Sequence, residues 1–218
     1  MMLSRVPRAL RYFSAPRPLL ARSISGDVDD AAMELFRESV RRWVAKEVIP
    51  NINQWEADGM LPRYLYAQAA ELGILAPGYP VNYGGLNDMR FSMAGIEELC
   101  RAGSGGFIAS LLTHSISLPP IIALGSEEIK QRVPTQVLAG KAVAALCITE
   151  PSGGSDVANL RTTATQDGDY FVLNGEKTLI TSGMQADFYT VAVRTGPPGS
   201  GAGGISLILV ERDTEGFP

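Results

Sequence analysis

The spacing of hydrophobic positions changes once along the chain, and the change divides it. Between Asp27 and Val48, residues Leu35, Phe36, Val40, Trp43, Val44 and Val48 recur at helical spacing, with Arg37, Glu38, Arg41, Arg42 and Lys46 between them. Asp27, Asp29 and Asp30 open this segment, where acids favour the positive end of a helix dipole, and Pro50 ends it. The Trp43 face reads as core. Pro62 suits the first turn of a second helix running through Glu71, stopped by Gly73. A third helix is predicted over 87–101, with Met93, Ile96, Leu99 and Cys100 turned inward. Phe107–Leu124 is apolar and interrupted by Pro119-Pro120, where a kink or restart is expected. Ser126 caps a last helix through Leu138, with Glu127 and Glu128 in its first turn and Gly140 closing it.

From Ala142 onward the apolar runs are those of strands: Ala142–Ile148, Phe188–Arg194 and Ile205–Glu211, the last two separated by a Gly/Pro-rich loop over 196–201. Tyr170–Thr181 reads as a β-hairpin, two apolar arms about Asn174-Gly175, the pair that best tolerates the positive φ values of a type I′ turn. Helices first and strands after predict an α+β chain of two packed units, with no βαβ repeat. The all-α domain covers 26–141 and the β-domain 142–218.

Residues 1–25 stand apart. They hold Arg5, Arg8, Arg11, Arg17 and Arg22, four serines and no acid, the composition of a mitochondrial transit peptide. Leu3, Val6, Leu10 and Phe13 are placed to share a helical face, which Pro7 would limit. A matrix location is therefore expected. The whole chain carries −4, from 19 basic and 23 acidic residues, and loss of the five leader arginines deepens this to −9. So acidic a chain lacks the clustered cations that non-specific nucleic-acid binding needs. No apolar run is expected to reach the ~20 residues of a membrane span. Cys100 and Cys147 fit no metal spacing and read as buried free thiols of a reducing compartment. His114 is the single histidine, which excludes a multi-histidine zinc site and leaves it as a core residue on an apolar stretch.

The chemistry concentrates in Leu146-Cys147-Ile148-Thr149-Glu150-Pro151-Ser152-Gly153-Gly154-Ser155-Asp156. A strand runs into a loop of small and hydroxylated residues. Gly153 and Gly154 let the backbone approach a ligand, Thr149 and Ser155 supply hydroxyls, and Pro151 stiffens the turn. Cys147 belongs to the core, Asp156 caps the loop, and Glu150 is a structural loop residue that nothing pairs with for acid–base work.

Taken in order, Cys-Ile-Thr-Glu-Pro-x-Gly-Gly-Ser-Asp, Leu-Asn-Gly-Glu-Lys and Ile-Thr-Ser-Gly resemble the acyl-CoA dehydrogenase family. Leu-Gly-Ile-Leu followed by Pro-x-x-Tyr-Gly-Gly (Tyr83-Gly84-Gly85) adds a likeness of layout, and the resemblance runs from Asp27 to the chain end. It implies an α-helical domain followed by an antiparallel, barrel-like middle domain, here incomplete, with FAD as cofactor and FAD-dependent α,β-dehydrogenation of acyl-CoA thioesters to trans-2-enoyl-CoA. Electron-transfer flavoprotein is the implied acceptor, and the full-length relatives are homotetramers.

By the same resemblance Leu146, Cys147, Ile148, Thr149, Gly154, Ser155, Leu179, Ile180 and Thr181 bind the cofactor. Thr149 and Thr181 hydrogen-bond the flavin ring, and Ser155 also faces the acyl-CoA. Leu179 stands where many relatives carry Trp, and Asn159 where they carry a small residue. The resemblance puts the proton-abstracting glutamate beyond Pro218, so no catalytic residue is expected in these 218 residues, and the chain reads as a fragment or short isoform whose last strand, Ile205–Glu211, has an unpaired edge. Two other readings stay open: a non-catalytic flavin- or partner-binding module, and an acyl-CoA oxidase-type flavoenzyme.

Overall fold

The computed structural model describes residues 3–7, 30–197 and 199–217. Helices α1 (Asp30–Trp43), α2 (Ile52–Asp58), α3 (Tyr64–Glu71), α4 (Met89–Leu99), α5 (Gly105–Leu111), α6 (His114–Leu124) and α7 (Glu127–Leu138) precede the main run of strands. The strands are β1 (Leu3–Pro7), β2 (Ala144–Cys147), β3 (Thr163–Asp167), β4 (Tyr170–Asn174), β5 (Phe188–Arg194) and β6 (Ile205–Glu211). The described residues form two compact units, one of residues 30–112 and 135–142, the other of 3–7, 113–134, 143–197 and 199–217. The α+β expectation holds.

In the helical unit, Val40, Val44 and Val48 are buried as their spacing predicts, the last two on a π-helical turn that continues α1. Trp43 packs against Phe107, ring centroids 6.2 Å apart, and its indole N–H donates to Gln68 Oε1 at 2.8 Å. The α4 face differs from expectation. Met93 and Ile96 are exposed, as is Cys100, while Ala94, Gly95, Glu98 and Leu99 are buried. The small Ala94 and Gly95 let α4 come close to α1, and Phe36 lies over Gly95. Glu98 then fills the seam, gripped by Arg41 from α1 (3.0 and 2.9 Å) and by Arg101. Helix α2 was not foreseen: Pro50 separates it from α1, and Ile52 and Trp55 bury its inner face.

The break in Phe107–Leu124 falls at Leu112–Thr113, ahead of Pro119-Pro120, which sit inside α6. The carbonyls those prolines leave without N–H donors belong to Ser115 and Ile116, both on the exposed side where water can serve them. The 20-residue stretch Gly105–Leu124 does have the length and mean hydropathy (1.7) of a membrane span, contrary to the expectation that no run comes near it. It is divided into two helices and carries the buried polar side chains Thr113, His114 and Ser117. Ser126 caps α7 through the Ile129 N–H, and Gly140, at φ +69°, ends the element as predicted.

The six strands form one mixed sheet in the order β1-β4-β3-β5-β2, with β6 on β5. β3–β4 and β5–β6 pair antiparallel, but β2 and β3 both run parallel to β5, so the sheet is not all-antiparallel. Among the described residues β6 pairs with β5 alone. Helix α6 packs on β2 and β5, and Thr190 Oγ1 of β5 donates to the Ser117 carbonyl of α6 at 3.1 Å. Residues 113–134 gather with the sheet in the second of the two units.

Two local expectations are overturned. The hairpin turns at Gly168-Asp169, joining β3 to β4 with Asp167 opposite Tyr170 and Gly168 at φ +59°. Asn174-Gly175 is no I′ turn: Asn174 ends β4, and residues 175–181 form no strand. Near the N-terminus, Leu3–Pro7 is a strand and not part of a helix, paired antiparallel with Asn174–Tyr170 along the edge of β4 that β3 does not use. The other residues of 1–25 lie outside those described.

Candidate functional site

Strand β2 ends by alternating its side chains: Leu146 and Ile148 are half-buried and Cys147 is buried between them. Burial pushes the Cys147 thiol up to about 12, only partly opposed by the Lys177 charge. Its side chain is core, as expected, so a ligand meets only its main chain.

The loop beyond is organised by Glu150. Its N–H and that of Gly153 each donate to the other's carbonyl at 3.0 Å, closing a tight turn over Pro151-Ser152. The carboxylate is turned inward and buried. Oε2 accepts from Arg161 N at 2.7 Å; Oε1 accepts from Thr162 N at 2.8 Å, Thr162 Oγ1 at 2.6 Å and Lys177 Nζ at 2.8 Å. Burial alone would raise this carboxyl, but Lys177, the Thr162 hydroxyl and the two N–H groups outweigh it and hold it down to about 2. Glu150 is therefore a permanent anion with its oxygens occupied, and a poor base. Glu150 is structural, as its loop position predicts; its partner Lys177, from the Leu-Asn-Gly-Glu-Lys stretch, carries no sequence signal for that role.

Lys177 brings the second segment in. Its ammonium also donates to Ile148 O at 3.0 Å, and the next N–H, that of Thr178, donates to Thr149 O at 2.9 Å. The chain then passes Leu179, at φ +56° and 88% exposed, an unusual backbone for a bulky residue. A turn follows in which Gly183 N donates to Ile180 O at 2.8 Å. Tyr189 Oη anchors that turn from β5, its one proton shared between the carbonyls of Gly183 (2.9 Å) and Ala186 (2.8 Å), and Arg212 donates to Met184 O and Gln185 O.

The predicted site residues thus fall on two segments of one unit. Thr149 is half-buried after β2, with Gly154 against it: a Cβ on Gly154 would stand 3.2 Å from Thr149 Cγ2 and 3.3 Å from Oγ1. Ser155 and Thr181 are exposed, and Ile180 is half-buried. Asp156 precedes a short 3-10 turn over Val157–Asn159 but its side chain does not cap it: its carbonyl accepts from Asn159 N, and its carboxylate accepts from the Asn159 side-chain Nδ2 instead of a backbone N–H. The result is a strand exit clamped to a second segment, with the hydroxyl-bearing residues Thr149, Ser155 and Thr181 distributed over the two. No cluster of three or more His, Cys, Asp or Glu that could hold a metal occurs among the described residues.

Known proteins share this layout. The family profile "Acyl-CoA dehydrogenase, N-terminal domain" matches residues 30–141 and "Acyl-CoA dehydrogenase, middle domain" matches 145–218. The chain belongs to the acyl-CoA dehydrogenase family. It is 41% identical over 188 residues to the mitochondrial long-chain specific acyl-CoA dehydrogenase of Sus scrofa, covering 84% of this chain and 43% of that one. Among solved structures, the acyl-CoA dehydrogenase of Geobacillus kaustophilus superposes with a TM-score of 0.76 at 40% identity, covering 84% of this chain and 48% of that one. The acyl-CoA dehydrogenase of Bacillus anthracis complexed with FAD gives 0.72 at 30% identity, covering 84% and 31%. The chain spans less than half the length of these family members.

Proposed function

We propose that this chain carries the FAD-holding part of an acyl-CoA dehydrogenase, which oxidises the Cα–Cβ bond of a straight-chain or branched acyl-CoA to the trans-2-enoyl-CoA. A 26–141 helical domain, a 142–218 middle domain and a 1–25 leader directing the protein to the mitochondrial matrix complete this reading, with electron-transfer flavoprotein as acceptor and a homotetrameric whole protein. The observation that carries it is the clamp of residues 148–150 against 177–178, which holds two hydroxyl-bearing segments side by side.

The residues fit the cofactor. Gly154 packs directly against Thr149, where a Cβ would stand 3.2 Å from Thr149 Cγ2, so the missing side chain lets the loop close on the Thr149 that would face the flavin. The hydroxyls of Thr149, Ser155 and Thr181 are not engaged by other described residues, so they are available to a polar ring edge or a phosphate. Bound FAD supplies the two-electron acceptor for the oxidation. Thr149 and Thr181 would hold the flavin ring, with Leu146, Ile148, Leu179, Ile180 and the main chain of Cys147 lining it, and Ser155 turned toward the acyl-CoA. Glu150, ionised and hydrogen-bonded through both oxygens, is not the group that takes the α-proton.

The test is anaerobic addition of acyl-CoA to the FAD-loaded full-length protein. Bleaching of the oxidised flavin absorption by a saturated acyl-CoA, and none by the matching enoyl-CoA, is expected. A spectrum unmoved by straight-chain and branched acyl-CoA alike overturns the reading.

A further inference from the structure

Glu150 and Lys177 are both nearly inaccessible, with side chains 4% and 9% exposed. A buried ion pair is a poor device for stability alone. Desolvating two charges costs several kcal/mol, and well-packed apolar residues in their place are often neutral or better. What a charged pair adds is direction, and here the directions converge on one residue.

Thr149 lies between the two acceptors of the Lys177 ammonium, Ile148 O on one side and the Glu150 carboxylate on the other, at 3.0 and 2.8 Å. Its own carbonyl accepts the Thr178 N–H at 2.9 Å. Three consecutive residues are therefore held by two consecutive ones. Glu150 extends the hold to a third segment through Arg161 N, Thr162 N and Thr162 Oγ1. Gly175 seats the start of the Lys177 segment directly against the same Thr162, since a Cβ there would lie 2.6 Å from Thr162 Oγ1. Both charged groups are buried and spent on each other and on neighbouring main-chain and hydroxyl groups, so neither is free to serve as a ligand. They fix what does.

We propose that Lys177 and Glu150 are positioning residues that set Thr149 at a fixed distance from the Leu179–Thr181 segment, so that both edges of the cofactor cradle are in place before the cofactor arrives. The inference rests on the FAD reading above. Residues that orient a ligand's direct partners typically change affinity or activity by about 10- to 100-fold when altered, and a shift of that size is expected here.

The test separates positioning from stability. The full-length protein is prepared as wild type, as Lys177→Met, and as the double variant Glu150→Gln/Lys177→Met, and apoprotein melting and FAD titration are measured on each. Lys177→Met strands a buried carboxylate and lowers the melting temperature. The double variant removes both charges and recovers most of it. Positioning predicts that the double variant, though stable, binds FAD about 10-fold or more weakly, with altered fine structure in the bound-flavin absorption bands. Wild-type affinity and an unaltered spectrum in the double variant overturn the proposal. Should the double variant not fold, Thr178→Pro deletes the N–H to Thr149 and leaves the charges in place. Weakened FAD binding then supports the account, and wild-type binding overturns it. Wild-type protein that takes up no FAD removes the cradle reading itself, a different failure from a variant that binds as well as wild type.

Discussion

Gly175 faces Thr162 so closely that a methyl group on it would stand 2.6 Å from Thr162 Oγ1 and 2.7 Å from its Cα. Side-chain motion cannot relieve a backbone contact that short. Gly175→Ala must displace either the end of β4 or Thr162, whose hydroxyl donates to Glu150. A cost of about 3 kcal/mol, the upper end for overpacking, is expected. Gly168 is the control: it sits at φ +59° with open space around its Cα, and Gly168→Ala meets only the left-handed backbone penalty of about 1 kcal/mol. Chemical denaturation of the two variants checks the order. An equal loss would place the strain elsewhere.

Glu98 fastens α1 to α4. Arg41 leads in holding its carboxyl down to about 2 from an ordinary 4.5, burial opposes, and Arg101 adds to the lowering. Because the folded value lies below the unfolded one, the stability Glu98 contributes is fully present above about pH 4.5 and is lost as pH falls toward 2. Glu98→Gln leaves partly exposed arginines that water can solvate, so a loss of about 1–3 kcal/mol at neutral pH is expected. The variant and wild type should converge in melting temperature as the buffer is acidified. A gap that stays constant down to pH 3 would contradict this assignment.

The architecture was legible where hydrophobic period was strong. The Val40–Val44–Val48 stripe, the Ser126 cap and the Gly140 stop all stand where the spacing puts them. What misled were local signals overruled by long-range contacts. Asn174-Gly175 has the composition of a turn, yet its glycine is there for the approach to Thr162, and the true turn, Gly168-Asp169, was passed over. Apolar Met93 and Ile96 suggested an inward face, but small Ala94 and Gly95 decide which side of α4 reaches α1. The parallel pairing of β2 with β5 joins residues some forty positions apart, and no window of sequence reports it. At the site, Thr149, Gly154 and Ser155 announced themselves by type, whereas the partner of Glu150 lay 27 residues away and needed the fold to find it.

The two cysteines should behave oppositely. Burial raises the Cys147 thiol to about 12, so it carries almost no thiolate at neutral pH, whereas Cys100 is exposed. Folded protein treated with a maleimide should take up one label quickly, at Cys100, and a second only in denaturant. Mass spectrometry of the labelled peptides reads the result. Fast modification of Cys147 would mean that β2 opens readily.

If the loop after β2 holds FAD, a substitution at Gly154 reports it. Its absent side chain lets the loop close on Thr149, since even a Cβ would be tight at 3.2 Å from Thr149 Cγ2, and a valine must push the two apart. The measurement is the FAD dissociation constant of the full-length protein, wild type against Gly154→Val, by titration of the flavin absorption. Saturable binding by wild type, weakened at least 10-fold in a Gly154→Val protein that still folds, is the predicted result. Equal binding by the two proteins would contradict the account.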